Sequence, residues 1–245
     1  MAADGGPDAS PALVVTDLYM PGIDGWRFCR LLRSPEYAAF NRVPILVVSA
    51  TFSGDEAARI TADLGANAFL PAPVDGPQFL ALVQALLHGD QPQECLRVLI
   101  VEDSPTLAGL LQHAFEAHGY RAETAGSVAA AGAAFGQAAY DVAVLDYHLP
   151  DGQGDALLAD FSARRPGCVC LMMTTDPTPE LTLTWMTQGA ADCLRKPFAP
   201  EYLIALCAKA RRERALLRVQ DLLEARTRQL RESEERFRSL LQDVP

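Results

Sequence analysis

Apolar residues in this chain come in short, nearly unbroken runs separated by longer stretches in which they recur every three or four positions. The runs are rich in Val, Ile and Leu, as in "LRVLIV" and "DVAVLD". Continuous apolar runs of strand length, alternating with helical periods, mark a parallel sheet covered on both faces. The pattern predicts strands near 97–102, 120–124, 141–146, 168–174 and 191–195, with helices between them. Ser104 followed by Pro105 is a helix start, a capping hydroxyl before a proline at the first helical position. The earlier part of the chain predicts only three strands, near 12–17, 44–49 and 67–70.

These two sets are copies of one pattern. "ALVVTDLYMPGIDG" matches "VAVLDYHLPDGQG", so Asp17 aligns with Asp146 and Pro21 with Pro150. "VPILVVSAT" matches "CVCLMMTTD", and "LGANAFLPAP" matches "QGAADCLRKP". Three blocks in the same order are an internal repeat. The expected division is a shortened domain over 1–88, a linker over 89–95, a complete doubly wound α/β domain over 96–208 and a helix over 209–245. The first copy lacks the first two βα units, and a three-stranded remnant leaves an uncovered strand with exposed backbone and apolar surface. Either the gene starts upstream, or residues 1–11 and a neighbour cover that edge. "ADGGPDASPALVVTD" reads like a helix tail and loop cut mid-domain, which favours the first.

Charge and cysteine usage narrow the setting. A formal net charge of -10 argues against a general nucleic-acid or anionic-membrane binder, both of which need a positive field. No apolar run reaches the roughly 18 residues of a membrane span, and "MAADGGPDAS" has no signal-peptide pattern, so a cytoplasmic protein is expected. Six cysteines, Cys29, Cys95, Cys168, Cys170, Cys193 and Cys207, sit in apolar segments without CxxC spacing. Reduced, buried thiols fit them better than bridges or zinc.

Ligands of open α/β sheets bind beyond the carboxyl ends of the strands. In the second copy those ends carry Glu102 and Asp103, Asp146, Thr174 and Lys196. Three converging carboxylates repel unless they share a hard divalent cation, for which Mg²⁺ is the natural choice. A carboxylate held against Mg²⁺ can take a phosphoryl group as an aspartyl phosphate, with the lysine ammonium neutralising the phosphoryl oxygens and the Thr174 hydroxyl donating to one of them. Singly, each residue has an ordinary reading: a turn aspartate, a loop Lys-Pro, a solvated Glu-Asp pair. Their joint placement at successive strand ends outweighs it.

"VLIVEDSPTLAGLL", "VLDYHLPDGQG", "MMTTD" and "LRKPF" together resemble the receiver domain of two-component response regulators, over roughly 96–210. The resemblance implies a flavodoxin-like fold, Mg²⁺ on Glu102, Asp103 and Asp146 with the backbone carbonyl of His148, Asp146 as phosphoacceptor, Thr174 as switch hydroxyl and Lys196 as phosphate partner. It also implies a histidine kinase or histidine phosphotransfer protein as donor, and a cis Lys-Pro bond. Two positions depart from the family pattern. Cys193 replaces the aromatic residue three before the lysine, which puts aromatic coupling to an output surface in doubt, and Thr175 stands where a small residue is usual.

In the first copy Asp17 keeps the acceptor position, Ser49 and Phe69 keep the hydroxyl and the aromatic, but Ala72 replaces the lysine and the acidic pair is missing. A degenerate receiver used for contacts is expected there. After 200 the last helix runs on without Pro or Gly. Leu216, Leu223, Leu230 and Phe237 recur every seven residues, with Val219 and Leu240 three away from two of them, the seam of a parallel coiled-coil homodimer. Arg226 and Ser233 interrupt that seam. Interleaved acids, as in "RESEERFR", make a solvated flank a better reading than a DNA-contacting helix. "SEERFRSLLQDVP" resembles the start of a PAS domain, which suggests an output region beyond this chain. The chain itself is expected to be a phosphoacceptor module and not an enzyme. A docking scaffold and an aspartyl-phosphate hydrolase are the alternatives, although haloacid-type phosphatases want an acid where His148 stands.

Overall fold

The structure, a computed structural model, describes residues 11–20, 22–90 and 95–242. The backbone separates into two compact units, Met1–Gln93 with Arg212–Pro245, and Glu94–Arg211. Pro21, the first ten residues and most of the expected 89–95 linker lie outside the described residues, and so does most of the segment 1–11 considered as an alternative cover for the sheet edge.

The first unit runs β1 (Val14–Thr16), α1 (Gly25–Leu32), a 3₁₀ turn (Pro35–Phe40), β2 (Ile45–Ser49), α2 (Asp55–Asp63), β3 (Ala68–Pro71) and α3 (Gly76–His88). Its sheet is parallel, in the order β1-β2-β3. Alternate residues of β2 feed opposite faces, Ile45 and Val47 packing with Trp26, Cys29 and Ile60, and Leu46 packing with Leu70 and Leu86 of α3. Strand β1 pairs only with β2 among the described residues, and Val15 is 49% exposed.

The second unit runs β4 (Arg97–Val101), α4 (Pro105–Ala117), β5 (Arg121–Ala125), α5 (Val128–Gln137), β6 (Val142–Asp146), a two-stranded hairpin of β7 (His148–Leu149) and β8 (Gly152–Gln153), α6 (Ala156–Arg164), β9 (Val169–Thr174), α7 (Pro179–Thr187), β10 (Ala190–Arg195) and α8 (Pro200–Gln242). Its parallel sheet has the order β10-β9-β6-β4-β5, the doubly wound arrangement with β6 at its centre, flanked by β4 and β9. Val98, Ile100, Val142 and Val144 face α4 and α8, while Leu99, Val101, Ala143 and Leu145 face α5, α6 and α7. The expected strands all form, with ends within two residues of the predicted ones. Ser104 caps α4, its hydroxyl accepting from the Leu107 N–H.

Helix α8 runs unbroken from Pro200 to Gln242, as the stretch without Pro or Gly after 200 predicts. Up to Ala210 it buries Leu203, Ile204, Leu206 and Cys207 in the second unit. Beyond Arg212 it belongs to the first unit, where Ala215 and Val219 are buried with Trp26 and Ile60, and Leu216, Leu222 and Leu223 pack alongside. Arg218 lies 3.7 Å from Glu56 of α2. The first three positions of the expected dimer seam, Leu216, Val219 and Leu223, are thus turned into this chain's own core. The physical reason is that an apolar stripe of this period serves an intrachain face as well as a second helix. On the corresponding face of the second unit α5 supplies Ala131 and Phe135. In the first unit, which has no counterpart of α5 among the described residues, α8 supplies the apolar cover. Leu230, farther along the seam, is 45% exposed.

None of the six cysteines is in a disulfide; Cys29, Cys168, Cys170 and Cys207 are buried, but Cys95 is exposed and Cys193 half-buried. Burial pushes the Cys29 and Cys207 thiols up to about 12. No helix among the described residues is long and apolar enough to cross a membrane.

Candidate functional site

Strands β4 and β6 are adjacent and parallel, with Val101 opposite Leu145, so the residues that follow them emerge side by side. Glu102 and Asp146 are both 4% exposed, whereas Asp103 points outward. Each of the three offers a carboxylate oxygen within 4.8 Å of the others. Lys196, just after β10, lies across them, its Nζ 2.6 Å from Glu102 Oε2 and 2.8 Å from Asp146 Oδ2. Strand β9 joins the two sides, because the Thr174 carbonyl accepts from the Lys196 N–H at 2.7 Å and the Met173 carbonyl accepts from the Tyr147 N–H at 2.9 Å. The Thr174 side chain is 1% exposed, and its Oγ1 accepts from the Asp176 N–H at 3.3 Å. Glu102, Asp103, Asp146, Thr174 and Lys196 therefore share one carboxyl edge, as the strand-end reading required.

The electrostatics follow from this burial. Desolvation pushes the Glu102 carboxyl above its ordinary value, against the hydrogen bond from Lys196, and the neighbouring Asp146 adds to the rise. Burial pulls Lys196 down, but the hydrogen bonds to Asp146 and Glu102 outweigh it and hold the ammonium above its ordinary value. One ammonium is shared by two buried acids. Asp146 Oδ1 is buried and has no hydrogen-bond partner. A buried carboxylate oxygen left unpaired is costly, and a hard cation is the ligand that a cluster of carboxylate oxygens suits. The donor set therefore fits a divalent ion coordinated by Glu102, Asp103 and Asp146.

The hairpin after Asp146 was not legible as an element. His148 pairs with Gln153 and Leu149 with Gly152, and at the tip Asp151 accepts from the Val128 and Ala129 N–H groups at 2.8 and 2.9 Å. These hydrogen bonds to α5 hold the Asp151 carboxyl below its ordinary value. Gly154 closes the hairpin. Its N–H donates to the Tyr147 carbonyl at 2.9 Å, and a Cβ there would overlap the Asp146 carbonyl oxygen. The Asp151-Gly152 pair signals a turn in the sequence, but nothing there says that Gly154, two residues on, must meet the Asp146 carbonyl.

The first unit repeats the frame and keeps Asp17, but has Ala72 for the lysine and no acidic pair among the described residues. Ala72 N–H donates to the Ser49 carbonyl at 2.7 Å, as Lys196 does to Thr174, and both Ala72-Pro73 and Lys196-Pro197 are cis. Gly25 meets the Asp17 carbonyl as Gly154 meets that of Asp146. Asp17 is exposed, its Oδ1 accepting from the Leu18 and Tyr19 N–H groups at 2.6 and 3.3 Å. Ser49 is buried, its hydroxyl accepting from the Thr51 and Phe52 N–H groups, and Phe69 is half-buried against the core. Cys193, at the position matching Phe69, is half-buried with its Sγ 3.7 Å from Thr182 Oγ1, and Thr175 is exposed.

Sheet and site together define an α/β domain whose parallel strands converge on an acidic site crossed by a single lysine. The family model described as the response regulator receiver domain matches residues 4–84 and 98–208, and the chain belongs to that family. It is 36% identical over 121 residues to the probable transcriptional regulatory protein TcrX of Mycobacterium tuberculosis, covering 49% of each chain. It is 35% identical over 123 residues to the transcriptional regulatory protein PmrA of Pectobacterium parmentieri, covering 50% of this chain and 53% of that one. Among solved structures, NtrX from Brucella abortus matches with a TM-score of 0.50 and 26% identity, over 58% of this chain and 35% of that one. The chain spans about half the length of the curated relatives it matches.

Proposed function

We propose that the domain over 96–208 accepts a phosphoryl group at Asp146 from the phosphohistidine of a histidine kinase or a phosphotransfer protein. The carrying observation is the joint approach of Glu102, Asp103 and Asp146 within 4.8 Å, with Lys196 at 2.8 Å from the acceptor. An Asp146 carboxylate oxygen forms the new P–O bond as the phosphohistidine P–N bond breaks, and the imidazole leaves. Lys196 is placed to shift from the acids to a phosphoryl oxygen, and Thr174 to turn its hydroxyl to another. Glu102, Asp103, Asp146 and the His148 carbonyl are the residues that would hold Mg²⁺. Bound there, the ion supplies charge neutralisation for the incoming phosphoryl group.

The first receiver, which keeps Asp17 and Ser49 but has Ala72 for the lysine, serves as a non-phosphorylated docking body. Helix α8 carries the phosphorylation state toward an output region, with homodimerisation through its exposed part around Leu230. The chain acts as a cytoplasmic signalling module with no catalytic output of its own and no nucleic-acid contact, consistent with its net charge of -10. Acetyl phosphate with Mg²⁺ is expected to label the full chain once, and Asp146→Asn to abolish the label. Undiminished labelling of that variant would move the acceptor to Asp17 or overturn the reading.

A further inference from the structure

The acceptor loop of the second domain is held at its tip by a residue to which neither the fold nor the acid cluster assigns a role. Asp151 sits at the turn between β7 and β8, and its two carboxylate oxygens accept from two successive N–H groups, Val128 and Ala129, at the start of α5. Helix α5 already has a cap, since the Ser127 hydroxyl accepts from the Ala130 N–H at 3.1 Å. The Asp151 contacts are therefore additional to ordinary capping and join two segments 22 or 23 residues apart in sequence. Packing reinforces the join: Leu149 is 9% exposed in the core that Val128 packs against, and a Cβ on Gly152 would lie 3.6 Å from Val128 Cγ2.

The base of the same hairpin is tied to the acceptor. Tyr147 follows Asp146, donates to the Met173 carbonyl and accepts from Gly154. His148, paired with Gln153, lies between this fixed base and the fixed tip. The chain also contains its own comparison. In "DLYMPGIDG" the position matching Asp151 is Gly22, with a left-handed φ of +90°, and the first unit has no counterpart of α5 among the described residues. The first copy keeps the glycine contact at Gly25 with no acid at the matching loop position, so closing the loop against the aspartate carbonyl does not by itself need Asp151.

We propose that Asp151 is a positioning residue that clamps the β7–β8 hairpin to α5, and so fixes the His148 backbone relative to the Asp146 carboxylate for divalent cation binding. This rests on the phosphoacceptor reading of Asp146. Residues that orient metal ligands from behind typically change metal affinity by about tenfold or more when removed. Asp151 would act through the loop and touch neither the ion nor the phosphoryl group.

The test uses the full chain as wild type, Asp151→Asn and Asp151→Ala. Mg²⁺ affinity is measured by calorimetry, amide exchange of Val128 and Ala129 without metal, and acetyl phosphate labelling as a function of Mg²⁺. For Asp151→Ala the proposal expects about tenfold weaker Mg²⁺ binding, faster exchange at both amides and near wild-type labelling once Mg²⁺ is saturating. Asp151→Asn, which keeps one acceptor oxygen and the side-chain shape, should fall between them. Unchanged Mg²⁺ affinity in either variant overturns the proposal, as does a labelling defect that saturating Mg²⁺ fails to restore. A wild-type chain that binds no Mg²⁺ overturns the phosphoacceptor reading itself, and the clamp with it. Should Asp151→Ala fail to fold, the comparison of Asp151→Asn with wild type decides the matter by the same criteria.

Discussion

Lys196 Nζ lies 2.8 Å from Asp146 Oδ2 while also 2.6 Å from Glu102 Oε2, so one ammonium holds two buried carboxylates that belong to adjacent strands. Removing it leaves both acids facing each other in a desolvated pocket. Truncating one partner of such a cluster is far worse than never having built it, because the remaining charges stay buried without compensation. Lys196→Ala is expected to lower stability by on the order of 2 kcal/mol in the absence of divalent ions, seen as a lower thermal midpoint. Millimolar Mg²⁺ should restore more of that loss in the variant than it adds to wild type, since the cation supplies the missing positive charge. Equal Mg²⁺ increments in both proteins would show that the acids are not the site of binding.

Away from the site, Glu123 offers a pH test. Its carboxylate accepts from the Tyr140 hydroxyl and pairs with Arg97, whose guanidinium lies 5.1 Å above the Tyr140 ring. The Tyr140 hydrogen bond first, and then Arg97 against opposing desolvation, hold the carboxyl below its ordinary 4.5. In the folded state Glu123 gives up its proton more readily than in the unfolded chain. Its stabilisation is therefore present above the unfolded value and disappears as pH falls through the lower folded one. Glu123 is partly exposed, so the effect is modest. Thermal midpoints of wild type and Glu123→Gln should differ at neutral pH and converge below 4.5, and a constant gap across that range would contradict the assignment.

The first unit tests the role of α8. Val219 is 2% exposed among Trp26, Ile60 and Leu64, and Trp26 donates to Thr61 Oγ1 at 2.9 Å. An aspartate at 219 would bury an unpaired charge or expel the helix, at a cost of about 3 kcal/mol. Trp26 and Trp185 are the only tryptophans, one in each unit, so Trp185→Phe makes Trp26 the sole reporter. In that background Val219→Asp should red-shift Trp26 emission and lower its unfolding midpoint, while Leu230→Asp, at an exposed position, should leave it unchanged. If both variants leave Trp26 emission alone, residues 212–223 do not cover this core in solution.

How far the sequence foretold the molecule depends on whether the signal was local. Strands such as Val142–Asp146 were legible because a doubly covered strand must be apolar throughout, and their order fixed where Glu102, Asp146 and Lys196 would meet. The destination of Leu216, Val219 and Leu223 was not legible, since a stripe of apolar residues states that it will be buried but not against what. Asp151 was hidden for a related reason. An aspartate between proline and glycine signals a turn by itself, and its partner amides at 128 and 129 are named only by the tertiary fold.

Gly154 and Gly25 separate structural from chemical requirements. In both, an added Cβ would overlap the carbonyl oxygen of the aligned aspartate. Gly154→Ala and Gly25→Ala should each destabilise their own unit by roughly 2 kcal/mol or more, because backbone must move to admit the methyl group. Only Gly154→Ala should slow labelling at Asp146. A comparable labelling defect from Gly25→Ala would mean that the first unit takes part in the reaction.

The first copy carries Ala72 where the second carries Lys196, and the exchange can be reversed. Ala72 is held as Lys196 is, with its N–H on the Ser49 carbonyl at 2.7 Å, and it is half-buried near the surface. At a half-buried position next to exposed Pro71, Ala72→Lys should change stability by no more than about 0.5 kcal/mol. If loss of the lysine were the sole defect, Ala72→Lys in an Asp146→Asn background would restore labelling, now at Asp17. The structure argues otherwise, because β1 is the edge of its sheet and no described strand stands beside it to present a second and third carboxylate. Among the described residues the site would then have one carboxylate and one ammonium, too few oxygens to hold a divalent cation. The double variant is therefore expected to remain unlabelled by acetyl phosphate with Mg²⁺, and label recovered at Asp17 would show that the lysine alone had been limiting.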